Sequence, residues 1–247
     1  MTRTAPTPQP TLLQRAHTIA MFPVGLAVST ARYLWWRSEV RRSEHGGTED
    51  DLPPRLPADL LDDEVKTLDD GSGPLFHRLF RVDMADGTAA EVVMDRITAD
   101  LDRAAPSEVV SFRKLRGRVG ELVPGDEYRV RMPAPWDGPV RVIRRDATSF
   151  RFATLRKHLE AGQIEFRVLD GPQGPAFEIE TWSRAGDRLA DLAFDHLRVG
   201  KEIQLHMWVQ FCLSVTELAG GPRVGPVAVS TARLPWSDAY AGADLPC

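Results

Sequence analysis

Apolar and polar residues alternate along several short segments in the middle of the chain, which is the pattern of β-strands. Phe150 and Phe152 are two positions apart, and Ile164, Phe166 and Val168 follow one another at the same spacing. Turns rich in Gly and Pro separate these segments. Strands at such short spacing pair mostly antiparallel, so the sequence predicts an antiparallel sheet with one apolar face.

The opposite faces of the predicted strands carry charges of both signs. Residues that face one another across antiparallel strands interact directly, so we expect ion pairs on this side of the sheet. The residues concerned are Glu127, Arg129, Arg131, Arg151, Glu165, Arg167, Glu178 and Glu180.

A long helix is predicted from Asp187 to about Leu218, near the C-terminal end. Asp187 is a suitable N-cap, and Gly220, Gly221 and Pro222 end the helix. The second half of the helix is apolar on nearly every side, so it needs cover from more than one direction. We expect the apolar face of the sheet to cover one of those sides.

The N-terminal part of the chain consists of two segments that differ in composition. Residues 1–10 are proline-rich and predicted to be a disordered lead, and residues 11–37 are predicted to form an apolar helix. This helix has three alternative roles: packing on the back of the C-terminal helix, anchoring the protein to a membrane surface through residues 12–36, or acting as a cleaved signal peptide. The sequence leaves all three open.

The rest of the chain is predicted to contain one folded domain. Residues 38–72 are polar and dotted with proline, which is typical of a linker that wraps along the surface. Residues 73–221 hold the strands and the long helix, and residues 222–247 are a tail.

The predicted fold class is α+β: a curved antiparallel sheet wrapped around the long C-terminal helix, with the apolar N-terminal helix added to it. A curved sheet and a straight helix do not close fully on each other. A ligand cavity is therefore expected between them.

Composition narrows the classes of function. The chain is 43% hydrophobic and 27% charged with a net charge of −4, and its basic residues are scattered, which gives no support to nucleic-acid binding. Cys212 and Cys247 make neither a disulfide framework nor a metal quartet, so a reducing, cytoplasmic location is favoured. We expect no metal and no cofactor, because the sequence has no three-ligand spacing and no phosphate-binding glycine loop.

Several segments resemble a known family. They are residues 135–139 (PWDGP), 150–155 (FRFATL), 158–166 (HLEAGQIEF) and 177–184 (FEIETWSR). They resemble the domain-of-unknown-function 1990 family of uncharacterised bacterial and plant proteins, within the START-like, or polyketide cyclase-like (SRPBCC), superfamily.

The resemblance implies a helix-grip fold over roughly residues 73–218. The chain departs from the family pattern at Phe152 and Ala153, where tyrosine and glycine are usual, and at Leu159, where proline is usual. The resemblance implies little about activity, because the function of that family is not established and a fold does not confer a reaction.

Titratable and aromatic residues on the predicted elements are the candidates for a site. His158 and His206 are candidate acid–base residues, because histidine titrates near neutral pH. His158, Glu160 and Glu165 form a candidate polar patch at the cavity mouth; the alternative is that they stabilise a turn and pair across strands. The candidate ligand-binding residues are Phe150, Phe152, Phe166, Trp182, Lys201, Gln204 and Trp208. For the aromatic residues the alternative is an ordinary core.

These candidates support three hypotheses about function. The favoured one is binding of a hydrophobic small molecule or lipid in the cavity between sheet and helix, without catalysis. The second is an enzyme of the polyketide cyclase or hydratase kind, with His158 or His206 as the acid–base residue. The third is a membrane-peripheral scaffold protein anchored by residues 12–36.

Overall fold

The computed structural model describes residues 40–85, 88–105, 110–131, 138–171, 174–186 and 198–246, with side chains from Gln204 onward in the last range. The predicted disordered lead and the apolar helix at residues 11–37 lie outside these residues. The predicted start of the long helix at Asp187 lies outside them as well.

The described residues contain a nine-stranded sheet with the order β1-β9-β2-β8-β7-β6-β5-β4-β3. The strands are β1 (Val40–Gly46), β2 (Ser72–Met84), β3 (Ser111–Arg116), β4 (Glu127–Arg131), β5 (Gly138–Arg145), β6 (Ser149–Thr154), β7 (Glu160–Leu169), β8 (Ala176–Ala185) and β9 (Arg223–Leu234). Neighbours pair antiparallel, except that β1 and β9 are parallel. The predicted α+β class with a mostly antiparallel sheet is confirmed.

The α-helices of the described residues are α1 (Ala90–Ala99), α2 (Leu101–Ala104) and α3 (Arg198–Ala219). Short 3₁₀ turns occur at Glu49–Asp51, Ala58–Leu60, Leu68–Asp70 and Asp238–Tyr240. The 22-residue α3 is followed by β9, so the last regular element of the sheet lies after the helix that was expected to end the fold.

The inner face of the sheet, which is the face towards α3, holds the main core. Phe150 and Phe166 stack with ring centres 4.7 Å apart. Phe166 also meets Trp208 and Phe211 of α3, with ring centres 5.7 and 5.3 Å away. Buried aromatic side chains remove large areas from water, so these contacts attach α3 to the sheet.

α1 and α2 cover a further part of α3, since both contact it as well as the sheet. Val93, Met94 and Ile97 of α1 are fully buried and belong to the same core cluster as α3. The prediction that the all-round apolar helix needs cover on several sides therefore holds, and α1 and α2 supply part of that cover.

The C-terminal end of α3 is tied to α1. Oγ of Thr88 donates to the carbonyl oxygen of Ala219 at 3.1 Å, and Arg96 donates to that of Leu218 at 3.0 Å. These bonds satisfy carbonyl groups that have no partner inside the helix. Gly220 follows with a φ of +78°, the conformation that ends many helices.

The outer face of the sheet carries the predicted cross-strand ion pairs. Arg151 faces Glu165 across β6 and β7 and donates to it at 3.0 Å. Arg167 faces Glu178 across β7 and β8 and donates to it at 2.6 Å; it also bonds Glu180. Arg151, Glu165 and Glu178 are each more than 90% buried, so these charges depend on one another for compensation.

The chain before β2 covers parts of the outer face of the sheet. The folded region therefore has different boundaries from those expected from the sequence. Leu56 and Val65 pack on the outer side of β5 and β6, and Leu68 packs with Trp182 and Leu234. The chain from Val40 onward, expected as a linker in residues 38–72, is therefore part of the fold. The expected tail supplies β9, which lies between β1 and β2.

β1 and β9 were not predicted as strands, and the reason lies in the local sequence of each. After Val40, β1 carries no apolar side chain and is exposed, so it shows no alternation. β9 contains Gly225 and Pro226, which read as a turn, and the sheet accommodates them with a shift of register opposite Arg81 and Asp83 of β2. Sheet strands thus extend beyond both ends of residues 73–221.

Within the part of the chain that the structure describes, no helix combines the length and apolar character needed to cross a bilayer.

His77 links the outer face of β2 to the segment that covers it. Nδ1 of His77 lies 2.7 Å from a carboxylate oxygen of Asp51, and Nε2 lies 2.7 Å from one of Glu180. The ring also stacks on Trp182 with centres 5.4 Å apart. Burial by itself would lower the pKa of His77, but the two carboxylates outweigh burial and raise it.

We expect replacement of His77 by Gln to destabilise the protein in a pH-dependent way. A raised pKa in the folded state means that the stabilisation is full below the unfolded pKa of about 6.5 and is lost as pH rises through the folded pKa. The difference in unfolding free energy between wild type and His77→Gln should therefore be larger at about pH 6 than at about pH 9.

The measurement is urea unfolding at the two pH values. His45→Gln is the control, because His45 is an exposed histidine of β1. An equal effect of His77→Gln at both pH values would contradict the charged pairing of His77 with Asp51 and Glu180.

Candidate functional site

A small cavity lies between the inner face of the sheet and α3, with a volume of about 50 Å³. Its apolar wall consists of Phe112, Val130, Val140, Phe152, Ile164, Phe166 and Trp208. Its polar end consists of Thr154, His158, Glu160, Thr181, Ser183 and Gln204, with Gly162 and Gln163 completing the lining.

Strand alternation places the sheet residues on the cavity. Glu160, Ile164 and Phe166 occupy alternate positions of β7, so their side chains point to one face. Thr181 faces Ile164 across the pair of β7 and β8, and Ser183 faces Gly162. The apolar wall and the polar end of the cavity are therefore neighbouring parts of the inner face of the sheet.

Glu160 is the central charged group of the polar end. Nε2 of Gln204 on α3 donates to both of its carboxylate oxygens, at 3.1 and 2.9 Å. Arg78 of β2 donates to Oε1 of Gln204 at 3.2 Å. Burial raises the pKa of Glu160, while the charge of Arg78 and the bond from Gln204 act in the opposite direction.

His158 is held as a neutral ring. Its Nδ1 lies 3.0 Å from the backbone nitrogen and 3.2 Å from the carbonyl oxygen of Glu160, so this ring nitrogen is engaged by the backbone at the start of β7. Burial lowers the pKa of His158 to about 4, and the nearby charge of Lys66 acts in the same direction. Lys66 also donates to the carbonyl oxygen of His158 at 2.8 Å, which fixes the turn before β7.

Gly162 and Thr154 fix the close approach of β6 and β7 at the polar end. The N–H of Gly162 donates to Oγ1 of Thr154 at 2.9 Å. The φ of Gly162 is +147°, and a Cβ there would lie 1.9 Å from the carbonyl oxygen of Trp182. The position therefore requires glycine.

Trp208 contributes a polar atom as well as apolar surface. The side chain is 7% exposed, and its Nε1 is buried with no hydrogen-bond partner among the described residues. Gln204 lies one helical turn before it, so both residues share the face of α3 that meets the cavity.

The structure brings together only part of the predicted site. Phe152, Phe166, Gln204, Trp208, His158 and Glu160 line the cavity. Phe150 is fully buried behind the wall against Phe152 and Phe166. The side chain of Lys201 lies outside the described residues.

Two predicted site residues lie on the opposite face of the sheet. Trp182 stacks on His77 on the outer face, and Glu165 pairs there with Arg151. Each is the immediate neighbour in its strand of residues that point to the inner face, so its own side chain points outward. His206 of α3 is partly buried and does not line this cavity.

Sequence reasoning missed Thr154, Thr181 and Ser183, which are polar lining residues on the inner face of the sheet. The available signal was strand alternation, because each lies in phase with apolar inner-face residues of the same strand. The hydrogen bond between Glu160 and Gln204 joins residues 44 positions apart, so no local pattern indicates it.

A family model described as "Domain of unknown function (DUF1990)" matches residues 71–212, more than half of the chain. No curated protein matches the chain.

Several solved structures overlap with the chain at low similarity. Protein NE0264 from Nitrosomonas europaea is 13% identical, with a TM-score of 0.41 over 58% of this chain and 93% of that protein. Major latex-like protein 151 from Panax ginseng is 13% identical, with a TM-score of 0.34 over 53% and 97%. A norcoclaurine synthase point mutant from Thalictrum flavum, bound to a transition-state analogue, is 10% identical, with a TM-score of 0.40 over 60% and 96%. Scores of this size identify neither a common fold nor a common activity.

We expect Gly138→Ala to displace His158. A Cβ at residue 138 would lie 2.0 Å from Cδ2 and 2.6 Å from Nε2 of the His158 ring, so the ring must move. The expected loss is about 1–3 kcal/mol of unfolding free energy, together with changed ring signals of His158 in NMR spectra. Gly46→Ala is the matched control in another strand, because a Cβ there would meet nothing within 4 Å. Unchanged ring signals in Gly138→Ala would contradict the described position of His158.

Proposed function

The chain belongs to the DUF1990 family, a domain of unknown function, and from the geometry of its own cavity we propose that it binds a small molecule with an apolar body and a polar end. The proposal rests on one observation: the same cavity is lined by aromatic and aliphatic side chains along its wall and by several polar side chains at one end. That combination is typical of small-molecule sites.

The finer fold assignment belongs to the same proposal. In a helix-grip fold the antiparallel sheet holds a helix and leaves room for a ligand between them. The position of α3 on the inner face, through Phe166, Trp208 and Phe211, supports this assignment.

The volume of the cavity favours a compact ligand. Pockets for drug-sized molecules are usually about 300–1,000 Å³, and this cavity measures about 50 Å³. Of the two kinds of ligand predicted from the sequence, a small hydrophobic molecule therefore has more support than a lipid.

The enzyme alternative has weaker support from its proposed histidines. His158 is neutral near pH 7, and its Nδ1 is engaged by the backbone of Glu160 and is not free to act on a substrate. His206 does not line the cavity. Glu160, whose pKa is raised by burial, is the better candidate for acid–base work in this cavity. The membrane-anchor alternative rests on residues 12–36, which lie outside the described residues.

The proposal predicts that filling the cavity abolishes binding. Val140 is 3% exposed and lines the cavity, so Val140→Phe should occupy the ligand volume. Saturation-transfer-difference NMR with a panel of compact cyclic compounds should give signals with wild type, and these signals should fall at least about tenfold with Val140→Phe.

Val119→Phe is the matched control, because it makes the same change at a side chain that is 94% exposed. Circular dichroism establishes that both variants are folded. Equal signals from folded Val140→Phe and wild type, or no signal from wild type, would contradict binding in this cavity.

A further inference from the structure

We infer that the ligand of this cavity presents a neutral hydrogen-bond-accepting oxygen, such as a carbonyl, to Nε1 of Trp208. The inference rests on the proposed function and deepens it by naming the class of ligand. It excludes pure hydrocarbons, amines and carboxylates as the preferred ligands.

The unpartnered indole N–H is the observation that points to an acceptor. Trp208 is 7% exposed, and its Nε1 has no partner among the described residues. An indole nitrogen only donates, so another donor cannot satisfy it. A buried donor without a partner is unfavourable, and an acceptor placed in the adjacent cavity removes that penalty.

Other buried groups of the protein do not supply this acceptor. Both carboxylate oxygens of Glu160 already accept from Gln204. Oε1 of Gln163 is a buried acceptor without a partner, but the side chain bonds Pro54 on the outer face of the sheet. The sheet therefore separates it from Trp208.

The charges around the polar end favour a neutral ligand. Glu160 would repel a carboxylate in the same small cavity. The positive charges of Arg78 and Lys66 already act on Glu160, so a cationic ligand would compete with both of them for that carboxylate. A carbonyl oxygen accepts from the indole N–H and carries no net charge.

The test compares three probes with the same ring and different heads: cyclopentanone, cyclopentane and cyclopentylamine. Binding to the full chain is followed by ¹H–¹⁵N NMR, which resolves each tryptophan indole N–H. The Trp208 signal is assigned as the one missing from Trp208→Phe. Trp236→Phe is the control, because Trp236 packs against Arg184 away from the cavity.

We expect cyclopentanone to bind wild type about tenfold more tightly than it binds Trp208→Phe, and to move the Trp208 indole proton downfield. The preference for cyclopentanone over cyclopentane should be present in wild type and lost in Trp208→Phe, and cyclopentylamine should bind wild type more weakly than cyclopentanone does. Trp236→Phe should behave as wild type with each probe.

Two results separate this inference from the proposed function. If cyclopentane binds but cyclopentanone neither moves the Trp208 signal nor prefers wild type, the inference is wrong while a binding cavity stands. If none of the three probes binds wild type, the compact-ligand site fails and the inference fails with it. The indole shift is measured on wild type. If Trp208→Phe does not fold, the Trp208 signal is assigned instead from nuclear Overhauser effects between its indole and the ring of Phe166, whose centre is 5.7 Å away.

Discussion

The contact of Phe166 with Trp208 and Phe211 is the interaction on which the rest of the structure depends. It joins the centre of the sheet to α3, at ring-centre distances of 5.7 and 5.3 Å. Phe150 stacks behind Phe166 at 4.7 Å and keeps that ring in place. Trp208 and Phe166 are at once part of the core and part of the cavity wall, so the packing that fixes α3 also fixes the cavity.

Strand alternation gives the sheet a charged outer face opposite the aromatic inner face. The residues next to the inner-face aromatics point outward, and they are charged: Arg151, Glu165 and Arg167 follow this rule in β6 and β7. Arg151 and Glu165 are buried and therefore require pairing, because an isolated buried charge is costly. The outer ion pairs are thus a consequence of the same alternation that builds the aromatic core.

The fold class followed from the sequence because alternation and helix caps are local signals. The errors came from departures from those signals. Trp182 was placed with the ligand-binding residues because of its chemistry, although its phase in β8 places it opposite Thr181 and Ser183. The sequence pattern gives no strand at β9, because Gly225 and Pro226 are typical of a turn. The irregularity that accommodates them is a bulge in β9, where residues 225–227 lie opposite the single residue 82 of β2.

The site was predictable only in part, for a physical reason. Glu160 and His158 stood out as polar residues in a short segment, but the role of each depends on distant partners. Gln204 reaches Glu160 from α3, and Lys66 reaches the backbone of His158 from the segment before β2. Such contacts and the burial of the site shift the pKa values of both groups, and they exist only after the chain has folded.

Native mass spectrometry tests the central claim, that the cavity between the sheet and α3 is a binding site, most directly. The protein is incubated with a small-molecule extract of its own host, separated from unbound compounds, and weighed under native and denaturing conditions. The account predicts an excess mass of a small, neutral organic molecule that is present in the native spectrum and lost on denaturation. A native mass equal to that of the chain alone, or an excess that persists after denaturation, would contradict reversible binding in the cavity.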